Sequence, residues 1–270
     1  MAASYQPAMT DTTAAPAFEG IHNFRDFGGY ETRDGAQVTR GKLFRSASFH
    51  DASPEDIAKL DGMGFRFMVD LRRPEERNHE PNRWPNENVR AIFKDDGAVS
   101  ATSLPPHLVV LLQSDLSPAA VRDYMTSLYR EIPFDPRLVS LYRDWFAELG
   151  QGGAGIVHCA AGKDRTGIAC ALTLIALDVP IDAVFADYEF TNQAVDIAAR
   201  MPRIQARMEE RLARKLDPEA LRPMLGVDVN YLHAAFAAIE AKHGSADAYL
   251  EDALGVGARE RVVLRQNFLA

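Results

Sequence analysis

The stretch that most constrains this chain is residues 154–167, Ala154-Gly-Ile-Val-His158-Cys159-Ala160-Ala161-Gly162-Lys163-Asp164-Arg165-Thr166-Gly167. The short apolar run at Ile156 and Val157 reads as a buried strand, and the apolar series from Ile168 to Leu177 reads as a helix. The turn between them is polar and punctuated by glycine. A loop that feeds a helix N-terminus aims several backbone N–H groups at one spot and adds the positive end of the helix dipole. Such a strand–loop–helix unit makes an anion site.

Cys159 opens this loop and Arg165 closes it six positions on. The field that holds an oxyanion also favours a thiolate over a thiol. Arg165 brings a planar fork able to hold two oxygens of a phosphate at once. Thiolate, N–H cradle and guanidinium together can attack phosphorus and stabilise the charge spread in its transition state. Two plainer readings compete. One is a buried core cysteine with an unrelated surface arginine. The other, a nucleotide-binding loop, fails because G-x-x-x-x-G-K-[ST] is absent.

At 270 residues and 47% hydrophobic, the chain is long enough for one large domain or a domain with a subdomain. A net charge of −8 and no basic stripe with interleaved aromatics argue against nucleic acid as a partner. An acidic body around an anion site needs local positive charge, which Arg165, Lys163 and the helix dipole supply. Of the two cysteines, Cys159 occupies the nucleophile's place and a structural disulfide would consume it, so a reducing compartment is expected. Cys170, among Ala and Leu, reads as a core residue, with a resolving thiol for oxidised Cys159 as the sharper alternative. The N-terminus lacks a signal-peptide pattern and no run approaches a membrane span, so a cytoplasmic location is expected.

In chain order, residues 1–17 read as a disordered leader rich in Ala, Thr and Pro. Residues 20–30 read as a glycine-rich corner, and Val38 to Ser46 as a strand broken at Gly41. Arg25 and Arg45 either buttress the site or form ordinary salt bridges. Ser53-Pro54 starts a helix to about Met63, and Phe65 to Arg72 is a strand ending in charge. Asp70, at the end of that strand, is a candidate site residue or a partner for Arg72. Residues 74–87 read as loop with a helical turn, Asn88 to Phe93 as a strand, and Lys94 to Ser117 as a mobile loop. Trp84-Pro85-Asn86 looks like a Trp-Pro-Asp acid loop but carries an amide, which has no proton to deliver. Helices are expected over 118–132, 136–149, 181–199, 202–215 and 218–225, then over 228–243, 245–254 and 258–268. Ile204, Met208 and Leu212 put an amphipathic stripe on the fourth of these. Mixed strands and helices followed by helices alone predict a sheet-centred α/β core with a helical extension.

The loop H-C-A-A-G-K-D-R-T-G resembles that of the atypical bacterial tyrosine phosphatases, within the wider protein tyrosine phosphatase superfamily. The match continues through Asn23-Phe-Arg-Asp-Phe-Gly-Gly, Leu43-Phe-Arg-Ser-Ala, Asp70-Leu-Arg, Asp123-Tyr-Met-Thr-Ser-Leu-Tyr-Arg and Ala186-Asp-Tyr-Glu-Phe-Thr-Asn. It extends to Tyr231-Leu and Gly244-Ser-Ala-Asp-Ala-Tyr-Leu, covering about residues 18–269. The resemblance implies a single phosphatase domain over 18–270 with a mostly parallel central sheet flanked by helices. It also implies no cofactor or bound metal, and a cysteinyl-phosphate intermediate. Phosphotyrosine is the implied substrate, with phosphoserine, phosphothreonine and phosphoinositides as further ones, and secretion without a signal peptide is open. A helical lid would fall near 190–225; the alternative there is a helix packed on the core.

The resemblance also supplies the acid that the missing Trp-Pro-Asp loop cannot. It places an aspartate inside the phosphate loop, matching Asp164, which can bear a proton beside a bound phosphate dianion. Otherwise Asp164 only braces the loop, and Asp70 or no side chain is the acid. The expected roles are Cys159 as nucleophile and Arg165 with the N–H groups of Ala160, Ala161, Gly162, Lys163, Asp164 and Arg165 on the equatorial oxygens. Thr166 would assist the departing thiolate, His158 would orient the loop, and Lys163 would add charge for a phosphorylated inositol. A binding module without turnover remains the contrasting class.

Overall fold

Among the residues described, 17–84, 86–95, 116–212 and 214–270, the computed structural model builds one five-stranded sheet. The first half alternates strands and helices: β1 (Arg25–Asp26), β2 (Leu43–Ser46), α1 (Pro54–Asp61), β3 (Phe65–Asp70), α2 (Pro74–His79) and β4 (Arg90–Ile92). Two longer helices, α3 (Pro118–Glu131) and α4 (Pro136–Gly150), lead to β5 (Ala154–His158) and α5 (Asp164–Ala176). Helices alone follow: α6 (Ile181–Glu189), α7 (Thr191–Ala194), α8 (Ile197–Leu212), α9 (Pro218–Leu225), α10 (Val229–His243), α11 (Ala246–Asp252) and α12 (Ala258–Phe268). The strand order is β1-β2-β5-β3-β4, parallel throughout except for the β1–β2 pair. This is the expected mostly parallel α/β sheet flanked by helices.

The central strand β5 is buried along its whole length, which is why it reads as a continuous apolar run. Successive side chains of a strand face opposite ways, and β5 divides accordingly. Ala154 and Ile156 join a cluster with Phe44, Phe49, Phe65 and Trp84 on one face. Val157 and Cys159 join the larger core built by α3, α4, α5 and the C-terminal helices on the other. Trp84 is therefore a core residue whose indole donates to Asp61, at 2.8 Å.

Helix starts follow local chemistry closely. Pro54, Pro74, Pro118, Pro136 and Pro218 each occupy the first helical turn, where the missing N–H is no loss. Three expectations shift. The strand expected from Val38 begins only at Leu43, because Gly41 turns the chain at φ +75° and Val38 instead bridges Leu269. The helix expected over 181–199 stops at Glu189 and reforms twice. Phe190 makes the first turn, and Thr191 and Asn192 on α7 anchor other elements: Thr191 accepts from Arg25, and the Asn192 amide brackets Val227 with bonds of 2.9 Å each. Asp196 then caps the next helix through the Ala199 N–H, so α8 starts at Ile197 and not at residue 202. The expected leader (save Ala17), the interior of the loop expected over 94–117 and the side chain of Leu212 lie outside the described residues.

Beneath the turn after β5 lies a buried polar cluster. Arg45 donates to one oxygen of Asp187 at 2.8 Å and to the Gly162 carbonyl at 3.0 Å. Arg25 donates to the Asp187 carbonyl, to Thr191 and to Asn23, and its Nε lies 3.8 Å from the Asp187 carboxylate. Asn23 in turn donates to the carbonyls of Ala161 and Gly162. Burial and the neighbouring Arg45 charge pull Arg25 down to about 10, with Asp187 opposing them. Asp187 is thus the carboxylate between two buried guanidiniums. Asp187→Asn should lower stability by about 3–5 kcal/mol in urea unfolding, the effect of stripping the partner from a buried charge. A loss under about 1 kcal/mol would mean that the two arginines find other compensation.

Candidate active site

The loop between β5 and α5 needs two things to work as a cradle: its carbonyls must turn away and its N–H groups must stay free. Both are met. The Ala160 carbonyl accepts from Ser48 N–H at 3.2 Å, and those of Ala161 and Gly162 are taken by Asn23 and Arg45. Among the described residues no acceptor meets the N–H groups from Ala160 to Arg165. Gly162 makes the turn at φ +67°, and a Cβ there would lie 2.3 Å from the Ser46 carbonyl oxygen, so only glycine fits. The loop therefore presents unpaired donors at the positive end of α5.

Cys159 is buried at the base of this loop. The Thr166 hydroxyl on the first turn of α5 is also buried and has no partner among the described residues, so a donor stands free there. His158 precedes the cysteine and is fully buried. Its Nδ1 faces the Cys159 carbonyl at 3.3 Å and its Nε2 faces the Asn82 amide nitrogen at 3.3 Å. A carbonyl only accepts, so the proton sits on Nδ1 and Nε2 accepts from Asn82. Burial lowers the imidazole's proton affinity, with Asp70 opposing, so the ring is a neutral brace on the loop.

Arg165 reveals a partner that sequence reasoning missed. Its Nη1 and Nη2 donate to the two oxygens of Glu76 at 2.6 and 2.8 Å, and Nη1 also donates to the Leu71 carbonyl at 3.3 Å. Of five guanidinium N–H donors this leaves Nε–H and one Nη2–H, adjacent on one edge. Glu76 holds the end of the fork and leaves the side edge for two oxygens of an anion. Burial pushes the Glu76 carboxyl up, but the charge and bonds of Arg165 outweigh it and hold it at about 2. The same carboxylate caps α2 through the Arg73 N–H at 2.7 Å. The local spacing of Arg73-Pro74-Glu75-Glu76 signals that cap. Nothing local signals a pairing across 89 positions.

The remaining candidates separate. Asp164 stands at the start of α5, where its Oδ1 accepts from Tyr129 Oη at 2.7 Å and from Lys163 Nζ at 3.0 Å. Lys163 is buried and also donates to the Gly226 carbonyl at 3.1 Å. Its charge is held inside the loop, which departs from the expectation of a cation offered to a phosphorylated inositol. Asp70 lies behind the loop, gripped by Arg72 through Nε and Nη2 with a shortest distance of 2.7 Å and facing His158 at 3.6 Å. Burial opposes its ionisation, but the charge and bonds of Arg72 keep it below the ordinary carboxylate range. It matches the plainer reading, a partner for Arg72. Of the two readings of Arg25 and Arg45, the structure shows elements of each: both face Asp187, and they brace the loop through the Arg45–Gly162 bond and through Asn23. Cys170 is a free buried thiol that burial pushes up to about 12, as a core residue should be.

A thiol at the base of an N–H cradle, with a guanidinium edge facing inward, defines the class of cysteine-dependent phosphatases. The profile of the tyrosine phosphatase family matches residues 16–270, and the chain belongs to that family, hydrolases that act through a cysteine nucleophile. It is 34% identical over 260 residues to a candidate tyrosine-protein phosphatase of Cupriavidus necator, covering 94% of this chain and 88% of that one. It is 32% identical over 266 residues to the triple specificity protein phosphatase PtpB of Mycobacterium tuberculosis, covering 87% and 92%. These matches bear out the resemblance read from H-C-A-A-G-K-D-R-T-G. No helix among the described residues is long and apolar enough to cross a membrane.

Glu76→Gln keeps the shape but removes the charge that locks Arg165. It should lower kcat/KM by about ten- to a hundredfold, the effect of misplacing a transition-state contact. The carboxyl is depressed in the folded state, so its contribution to stability is complete above about pH 4.5 and is lost as pH falls toward 2. Denaturation followed against pH should show wild type and variant diverging above that window and converging below it. A constant gap would exclude the ion pair.

Proposed function

We propose that this chain hydrolyses phosphotyrosine in proteins by two transfers at Cys159. The observation that carries the reading is the set of unpaired N–H groups from Ala160 to Arg165 above a buried cysteine, with the free edge of Arg165 completing the ring. In the first transfer the Cys159 thiolate attacks phosphorus, the bond to the phenolic oxygen breaks, and Asp164 delivers its proton to that oxygen. In the second, water attacks the cysteinyl phosphate, the S–P bond breaks, and the carboxylate of Asp164 recovers a proton from the water. The Thr166 hydroxyl, buried and unpartnered, donates to the departing thiolate. His158 and Asp70 act behind the loop, not on the substrate.

Asp164 is preferred to Asp70 as the acid because it stands at the loop with 19% of its side chain exposed, whereas Asp70 is buried in its bonds to Arg72. The helices α8 and α9 suit a cover over the loop. They and the link between them carry a small apolar cluster of their own, Met201, Leu216 and Leu221, and the segment just after them meets Lys163 through Gly226. We read residues 18–270 as one phosphatase domain that includes this cover, with no cofactor. A free catalytic thiol needs a reducing compartment, in keeping with a cytoplasmic location. Breadth toward phosphoserine, phosphothreonine and phosphoinositides is a second reading, favoured by the triple specificity in the name of the mycobacterial relative.

Phosphate release from a phosphotyrosine peptide, a phosphoserine peptide and a monophosphorylated phosphoinositide, measured side by side, tests both readings. Release from the tyrosine peptide should exceed the others. Comparable lipid turnover would favour the broader enzyme. Cys159→Ser should abolish release by at least about 1,000-fold while retaining inorganic phosphate binding. Residual turnover in that variant would remove Cys159 as the nucleophile, and phosphate binding without turnover by wild type would favour a binding module.

A further inference from the structure

Behind Asp164 runs a chain of two buried phenols that the chemistry above does not use. Tyr129 on α3 and Tyr188 on α6 are both fully buried, and their hydroxyl oxygens lie 2.7 Å apart. Tyr129 has one proton and faces an acceptor-only carboxylate, so it donates to Asp164 Oδ1 at 2.7 Å and Tyr188 donates to Tyr129. Burial first, and the Asp164 charge second, raise both phenols well above their ordinary range. Both remain neutral donors wherever the protein works. Their rings are fixed as well: Tyr129 packs edge-on to Tyr188 at 6.1 Å between centroids and against Tyr231 at 5.4 Å.

The loop's own sequence makes room for this chain. Gly167 lies one turn into α5, and a Cβ there would stand 3.0 Å from the Tyr188 ring. The glycine that follows Thr166 thus lets Tyr188 approach α5 closely enough to reach Tyr129. The two donors on Asp164, Tyr129 Oη and Lys163 Nζ, both take Oδ1. Among the described residues Oδ2 receives no hydrogen bond. A carboxyl whose one oxygen is saturated by donors carries its proton on the other.

We infer that Tyr129, itself held by Tyr188, is the positioning residue for proton donation: it fixes Asp164 through Oδ1 so that Oδ2 bears and delivers the leaving-group proton. The inference rests on Asp164 being the acid. Proton donation matters most when the leaving group is a poor one and fades as the leaving group becomes more acidic. Removing the Tyr129 hydroxyl should therefore hurt phosphotyrosine more than an electron-poor aryl phosphate, whereas loop damage should hurt both alike.

The experiment compares kcat/KM, which reports transfer to the cysteine, for phosphotyrosine and p-nitrophenyl phosphate in wild type, Tyr129→Phe, Tyr188→Phe and Asp164→Asn. Tyr129→Phe should lose about tenfold on phosphotyrosine and less than about threefold on the nitrophenyl ester, a fraction of what a general acid supplies. Inhibition by inorganic phosphate should stay unchanged, since the cradle is intact. Tyr188→Phe, which leaves the Asp164 contact in place, should show the same selectivity with a smaller loss and serves if Tyr129→Phe does not fold. Asp164→Asn should show the steepest dependence on leaving group. An equal loss on both esters in the tyrosine variants, or no loss on either, overturns the positioning role. A flat response in Asp164→Asn would overturn the acid assignment beneath it, a failure distinguishable from the first.

Discussion

Everything in this site depends on which way three carbonyls point. A loop of five residues after a strand has as many acceptors as donors, and an anion is bound only if the acceptors are turned aside. Here Ala160 is tied to Ser48, and Ala161 and Gly162 are tied to Asn23 and Arg45. Arg45 and the Arg25 that holds Asn23 are both buried, and Asp187 between them keeps their charge tolerable in the interior. The consequence is a ring of N–H groups held open without any help from the ligand. Preorganised donors of this kind need no rearrangement as charge develops.

The second organising constraint is electrostatic. The chain carries a net charge of −8, yet its site must attract a phosphate dianion. The positive charge is kept local and each cation is assigned a counter-group. Arg165 is matched by Glu76, Arg72 by Asp70, and Lys163 by Asp164. Pairing fixes geometry while leaving chosen edges free, as the unused side of the Arg165 fork illustrates. The neutral imidazole of His158 adds rigidity behind the cysteine without adding charge.

Reading the sequence succeeded wherever structure follows from neighbours in the chain. The Ser53-Pro54 cap located α1, apolar spacing located α3 and α4, and continuous apolar runs located β3 and β5. It failed where a residue answers to something distant. The helical pattern over 181–199 breaks at Phe190 and again after Ala194, and the short turn of helix between carries Thr191 and Asn192 to Arg25 and Val227. Lys163 reads as added positive charge at the loop, and its tie to the Gly226 carbonyl, 63 positions away, leaves no trace in the local sequence.

By itself the sequence placed Cys159, Arg165, Asp164 and Thr166 at one strand–loop–helix junction, because the spacing alone assembles thiol, donors and guanidinium. It also determined the α/β layering, since periodicity and caps are local properties. Only the tertiary structure decided how the junction is held. Glu76, Asp187, Tyr129 and Tyr188 come from three separate helices, and each acts on the loop, directly or through one neighbour, by a terminal atom or pair of atoms. Contacts of that kind leave no periodic trace in a chain, because they depend on where helices pack and not on what precedes or follows the residue.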